Sequence, residues 1–174
     1  LTLWEATEVH LDQGVLLAVC CDMGIFGQIL NVFYDKRKKK VFTWASKVSS
    51  KDAVVADNLI NGSETKCDGK KLSIHYTNDF QDGKCLLKGW QEGEPGRIEY
   101  DFKLTRISKP GIVSIPFADP AERHRPLYSQ KDFFKCDGWL TINGETFHTT
   151  ETSTAIVDDH KGYYPRKAHY DWVT

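Results

Sequence analysis

Between Ala155 and Thr174 the chain reads AIVDDHKGYYPRKAHYDWVT, the segment richest in side chains that could do chemistry. Asp158, Asp159, His160, Lys161, Arg166, Lys167, His169 and Asp171 are interleaved with Tyr163, Tyr164, Tyr170 and Trp172. Such mixing of charge and aromatic surface fits a pocket wall, a domain contact, or both. Asp158-Asp159-His160 offers two carboxylates and an imidazole, the donors of a metal site or of acid–base chemistry. Along an extended strand these three alternate sides and cannot face one ion; a turn at Lys161-Gly162 would be needed to gather them. His75, His148 and His169 are isolated in sequence and no second cluster accompanies them, so neither a metal nor a cofactor is expected. Asp158 and His169 stand as candidates for proton transfer, set against the plainer and preferred reading in which Asp158 caps backbone amides at a strand end. Aromatic rings with polar tips suit the mouth of a barrel that holds an apolar ligand, and they also suit core packing against a neighbouring domain.

Other reaction classes lack their signatures. Ser129 sits in Leu127-Tyr128-Ser129-Gln130-Lys131 with no GxSxG elbow around it, and no glycine-rich phosphate loop occurs. The basic run from Lys36 to Lys40 sits between two strand-like segments, without interleaved aromatics, and reads as a solvated hairpin tip rather than a nucleic-acid contact. Arg123 and Arg125 fall in a loop that could reach over a pocket rim. A formal net charge of −1 supplies no field to attract nucleic acid or an anionic membrane. No run of about 18 apolar residues is present to span a bilayer.

These candidates must be held by strands. Period-two alternation dominates, over Leu3–Val9, Val15–Cys21, Gly27–Tyr34, Lys40–Ala45, Lys71–Tyr76, Lys84–Gln91 and Arg97–Arg106, then Gly111–Pro116, Leu127–Phe134, Gly138–Ile142, Glu145–Thr149 and Ser153–Val157. Asn143-Gly144 predicts a two-residue type I′ hairpin, and Asp82-Gly83 predicts the same before Lys84. Only the stretch from Ser50 to Ile60 has room for a turn or two of helix. In Arg97–Arg106 the residues Ile98, Tyr100, Phe102 and Leu104 share one side, which fixes the register of a core-facing strand. Adjacent Cys20 and Cys21 point to opposite faces, and five cysteines without CxxC spacing read as reduced structural thiols. With Leu1 preceded by no leader and Thr174 followed by no tail, the chain is expected to be cut from a longer polypeptide whose compartment is the cytoplasm.

Three segments carry a resemblance: RPLYSQKDFF (125–134), GWLTINGETF (138–147) and DDHKGYYPRKAHYDWVT (158–174). They resemble the DUF2804 family of uncharacterised bacterial proteins, itself similar to the AttH and carotenoid 1,2-hydratase group of tandem lipocalin-like β domains. Asp158, Lys161, Gly162, Tyr164, Pro165, Tyr170 and Trp172 fit the family pattern, and Trp4-Glu5-Ala6-Thr7 fits it less specifically. Arg166 departs from it, standing where an aromatic belongs. The resemblance implies that these residues form one domain, 1–174, with a second β domain as partner in the same chain. It also implies handling of apolar, isoprenoid-like molecules.

The expectation is therefore an all-β, antiparallel, lipocalin-like barrel or twisted sandwich. Its function is binding of a small apolar molecule near the contact with that second domain. The expected wall is Asp158, His160, Lys161, Tyr164, Arg166, His169, Tyr170 and Trp172. The alternatives are a lyase or isomerase, and a structural domain whose segment 158–174 is an inter-domain interface.

Overall fold

The computed structural model describes residues 1–109, 111–115 and 126–164. The alternation sets the strands. Strand β1 is Thr2–His10, β2 Gly14–Asp22, β3 Gly27–Asp35 and β4 Lys40–Val48. Next come β5 Ser63–Gly69, β6 Leu72–Asp79, β7 Lys84–Gly93 and β8 Gly96–Arg106. The last are β9 Gly111–Ile115, β10 Leu127–Ile142, β11 Glu145–His148 and β12 Thr154–Gly162. They pair antiparallel in the order β4-β3-β2-β1-β12-β10-β8-β7-β6-β5, with β9 and β11 added beside β10. Two meanders of neighbouring hairpins, β1–β4 and β5–β8, are thus joined through β12 and β10. The sheet curls so that β4 meets β7 and β2 meets β5 without pairing, a lipocalin-like half-barrel. Among the described residues no helix is long and apolar enough to cross a membrane.

The inner face is filled with side chains. Ile98, Tyr100, Phe102 and Leu104 of β8 are all buried, as are Phe33, Trp44, Tyr76 and Phe134. Polar groups lock the two leaves together across this core. The Tyr100 hydroxyl donates to Asn31 Oδ1 at 2.9 Å, and Asn31 Nδ2 donates to Gln91 Oε1 at 2.8 Å. Gln91 Nε2 then reaches Ser46 Oγ at 2.9 Å, so β8, β3, β7 and β4 share one chain of hydrogen bonds. Tyr76 donates to the Ala18 carbonyl at 2.8 Å. Each buried donor and acceptor in this chain would carry a desolvation penalty if its partner were missing.

The structure differs from the sequence expectation in four places. The two segments 127–134 and 138–142 are one bent strand, β10. Its first half pairs with β12 and its second with β8. The bend sits at Gly138, where φ is +147° and an added Cβ would lie 2.0 Å from the Asp101 carbonyl oxygen. No helix forms between Ser50 and Ile60. There Val54 bridges to Lys66, Ala56 N donates to the Thr65 hydroxyl at 2.8 Å, and Ala53, Val55, Ala56 and Leu59 plug the core. Strand β5 is unforeseen because SETKCDG shows one apolar residue, Cys67; the other inward residue is Thr65. Asp82-Gly83 closes a four-residue link rather than a two-residue one, with positive φ at Gly83 alone. The Asn143-Gly144 hairpin does form, with φ of 51° and 86°.

The basic tip between β3 and β4 is also less free than expected. Asp35, buried in the side-chain packing, takes Arg37 Nη2 at 2.9 Å, and Arg37 Nη1 reaches Glu145 of β11 at 2.9 Å. The Arg37 guanidinium beside Asp35 holds that carboxyl down at about 2.

Candidate functional site

Strand β12 is extended through Gly162, so its charged residues divide between two faces. Asp158 and His160 look outward from the curled sheet; Asp159 and Lys161 belong to the inward-facing set with Ala155 and Val157. The three-residue metal reading fails for this reason. Among the described residues no group of three or more His, Cys, Asp or Glu is placed to hold an ion.

The register across β2, β1, β12 and β10 lays out the outer face as three rows. Cys21, Trp4, His160 and Ser129 stand side by side, then Val19, Ala6, Asp158 and Lys131, then Leu17, Glu8, Ile156 and Phe133. Trp4 stacks on His160 with ring centroids 3.8 Å apart and planes 9° from parallel. Tyr164 lies beyond, and its hydroxyl meets His160 Nε2 at 2.9 Å. A Cβ at Gly162 would come 2.7 Å from that same nitrogen, so glycine leaves the space in which Tyr164 approaches. His160 is 0% exposed, and burial pushes its imidazole down to about 4. The ring is therefore neutral near pH 7, with Nε2 able to accept from tyrosine.

Asp158 does not cap backbone amides. Lys131 Nζ lies 2.8 Å from Asp158 Oδ2, and the Ser129 hydroxyl donates to Asp158 Oδ1 at 3.3 Å. This ion pair stands beside an open depression of about 450 Å³. Ala6 and Cys21, each only 8% exposed, line it together with half-buried Leu17, Val19, Leu30 and Ile156. An outward sheet face of this kind would ordinarily be polar.

The inner face beside β12 is different in character. Glu5 lies directly opposite Asp159, and Asp159 directly opposite Gln130. Burial raises the Glu5 carboxyl to about 8 and the Asp159 carboxyl to about 7. Lys161 shares this side and donates from Nζ to the Asp57 carbonyl at 2.5 Å.

Of the expected wall, Asp158, His160 and Tyr164 come together on the outer face, and Lys161 is separated from them. Arg166, His169, Tyr170 and Trp172 lie outside the described residues. Trp4, Lys131 and Glu5 complete the two surfaces and are remote from the segment in sequence. Trp4-Glu5-Ala6 alone hinted at them, since neighbours in an antiparallel pair cannot be read from one strand.

Residues 2–174 match the family described as "Domain of unknown function (DUF2804)". No curated protein matches the sequence. Among solved structures the chain is similar to kievitone hydratase from Nectria haematococca, at TM-score 0.62 and 15% sequence identity. The similarity covers 94% of this chain and 48% of that one, so the chain spans about half the length of that protein. At such identity the likeness concerns the fold.

Proposed function

The chain belongs to the DUF2804 family, and from that footing we propose that it binds a small apolar molecule in the depression on the outer face of β1, β2 and β12. One observation carries the reading: outward positions that alternation should make polar are instead Ala6, Leu17, Val19, Cys21, Leu30 and Ile156 around a space of about 450 Å³. The Lys131–Asp158 pair at its edge supplies the few polar groups that orient such a ligand, and Trp4, stacked on His160, walls one end.

Binding of cis-parinaric acid, followed by its fluorescence, tests the reading. Leu17→Asp and Trp4→Ala are each expected to weaken it by about tenfold or more, because roughly 1.5–3 kcal/mol of apolar contact is lost. Unchanged affinity in both variants would overturn it.

A second reading is supported by the length comparison: in a protein of about twice this span, the same apolar face would be the seat of a second β domain. The two readings are compatible when the ligand sits at that contact. The fold likeness to a hydratase keeps a lyase or isomerase in view, with Asp158 or His169 as the proton-transfer group. Asp158 is engaged with Lys131 and Ser129, which argues for an orienting role instead.

A further inference from the structure

The inner side of β12 holds a chemically distinct place. Pairing register sets Cys20, Glu5, Asp159 and Gln130 in one inward row across β2, β1, β12 and β10. Glu5 is 0% and Asp159 2% exposed. Glu5 Oε2 accepts from Asn78 Nδ2 at 3.1 Å and the Thr65 side chain also interacts with the Glu5 carboxyl, whereas Asp159 Oδ1 has no hydrogen-bond partner among the described residues. A buried oxygen without a donor is costly, so Asp159 Oδ1 leaves the chemistry of this wall incomplete. Asp159 also lines an open depression of about 340 Å³, with Tyr128, Gln130 and Lys161 on one side and Leu59, Ile60 and Phe80 on the other. Asp159 thus lines the depression while its unsatisfied Oδ1 lies just beneath the surface of that wall.

We propose that Asp159, backed by Glu5, anchors the carbonyl or hydroxyl oxygen of a small, neutral, otherwise apolar ligand seated in this depression. The surrounding charges select that class. An anionic head would meet two carboxyls. A cationic head would meet Lys161, whose charge already opposes the burial effect on Asp159. Asp57 also lines the depression and adds a further carboxylate against an anionic head, while Arg106 Nε lies 3.2 Å from Asp132 Oδ1 and Gln130 Nε2 donates to Asp132 Oδ2 at 2.6 Å. Asp158 is turned to the outer face and paired with Lys131. From the opposing leaf Glu5 faces neutral groups, Thr65 and Asn78, with the thiol of Cys85 behind Asn78. The Tyr128 hydroxyl donates to Gln130 Oε1 and is not available to a ligand as donor. With burial lifting both carboxyls toward neutrality, the pair holds at least one proton near pH 7 and can present an O–H to an acceptor oxygen. This site does not depend on the outer-face reading, and it lies on the opposite side of the same strand.

Titration calorimetry of the whole chain with geraniol, a neutral isoprenoid alcohol, tests the proposal at about pH 5.5 and about pH 9.5. Affinity is expected to fall about tenfold at the higher pH, as the donor proton is lost. Asp159→Asn keeps an N–H donor and should bind almost equally at both pH values. Asp159→Leu, an apolar replacement of similar size, should bind about tenfold more weakly than the unaltered chain at the lower pH. Leu17→Asp on the outer face should leave the fall in geraniol affinity between the two pH values in place. The proposal is overturned if the unaltered chain fails to bind at the lower pH, if its affinity ignores pH, or if Asp159→Leu binds as well as it does. Loss in Leu17→Asp with Asp159→Leu unaffected would move the ligand to the outer face.

Discussion

At the scale of single residues, the paired strands β12 and β1 set two groups with opposite pH behaviour on the two faces of the sheet. His160 is held neutral by burial, its imidazole lowered to about 4, so the folded chain binds fewer protons there than the unfolded one. Its contribution is complete above the ordinary histidine range and is lost as pH falls from there toward 4. Glu5 behaves in reverse. Its folded carboxyl sits at about 8, so its contribution is complete below the ordinary glutamate range and declines as pH rises toward 8. Urea unfolding should therefore show lower stability at about pH 9 than at about pH 5.5, by an amount on the order of a few kcal/mol. Glu5→Gln should flatten the alkaline side of that curve and leave the acid side in place. An unaltered alkaline slope in Glu5→Gln would remove Glu5 as its source. Neither role is legible in the sequence: Asp159 and His160 stand next to each other there, and only the strand's alternation sends one into the core and the other against Trp4.

At the scale of elements, β10 is the joint of the fold. Its first half belongs to β12 and its second to β8, with Gly138 at the change of partner. Gly138→Ala puts a methyl against the Asp101 carbonyl, where Cβ and oxygen would be 2.0 Å apart. Added to the backbone strain of a positive φ, this should lower stability by more than about 1 kcal/mol, read as the shift in the urea midpoint. A midpoint that does not move would mean that β10 bends freely. Legibility follows composition at this scale. Strand β8 is plain in the sequence because Ile98, Tyr100, Phe102 and Leu104 fall on one side without exception. Strand β5 is invisible because its inward residues are Thr65 and Cys67, and β10 reads as two strands because glycine ordinarily ends one. The segment after Ser50 has helix-like spacing, but its backbone groups bond to β5 and its apolar residues plug the core, a tertiary outcome that local propensity does not contain.

At the scale of the whole molecule, packing and a chain of polar contacts hold the two leaves face to face. Phe102, fully buried between them, should cost about 3–5 kcal/mol on replacement by alanine, measured by chemical unfolding. Tyr100→Phe removes the donor to Asn31 and should cost about 1–3 kcal/mol, since Asn31 Oδ1 would be left buried without it. A loss confined to one leaf's hydrogen-exchange protection, with the other unchanged, would show that the network does not couple them. The all-β class and the antiparallel curl are readable from alternation and turn chemistry. The outer depression is not, because it needs three strands brought into register before Leu17, Ala6 and Ile156 become neighbours.

The pairing of β1 with β12 has a consequence for how the chain reaches this state. The meander β1–β4 can assemble as soon as it leaves the ribosome, yet in the ladder it is attached to the rest only through β12, the last of the described strands to be made. Until then β1 presents a bare edge carrying Trp4 and Ala6 on one side and Glu5 on the other, open to any stray strand. Closing so long a loop is slow. The half-finished meander is thus the species most open to misassociation, and pairing with β12 is what covers its edge.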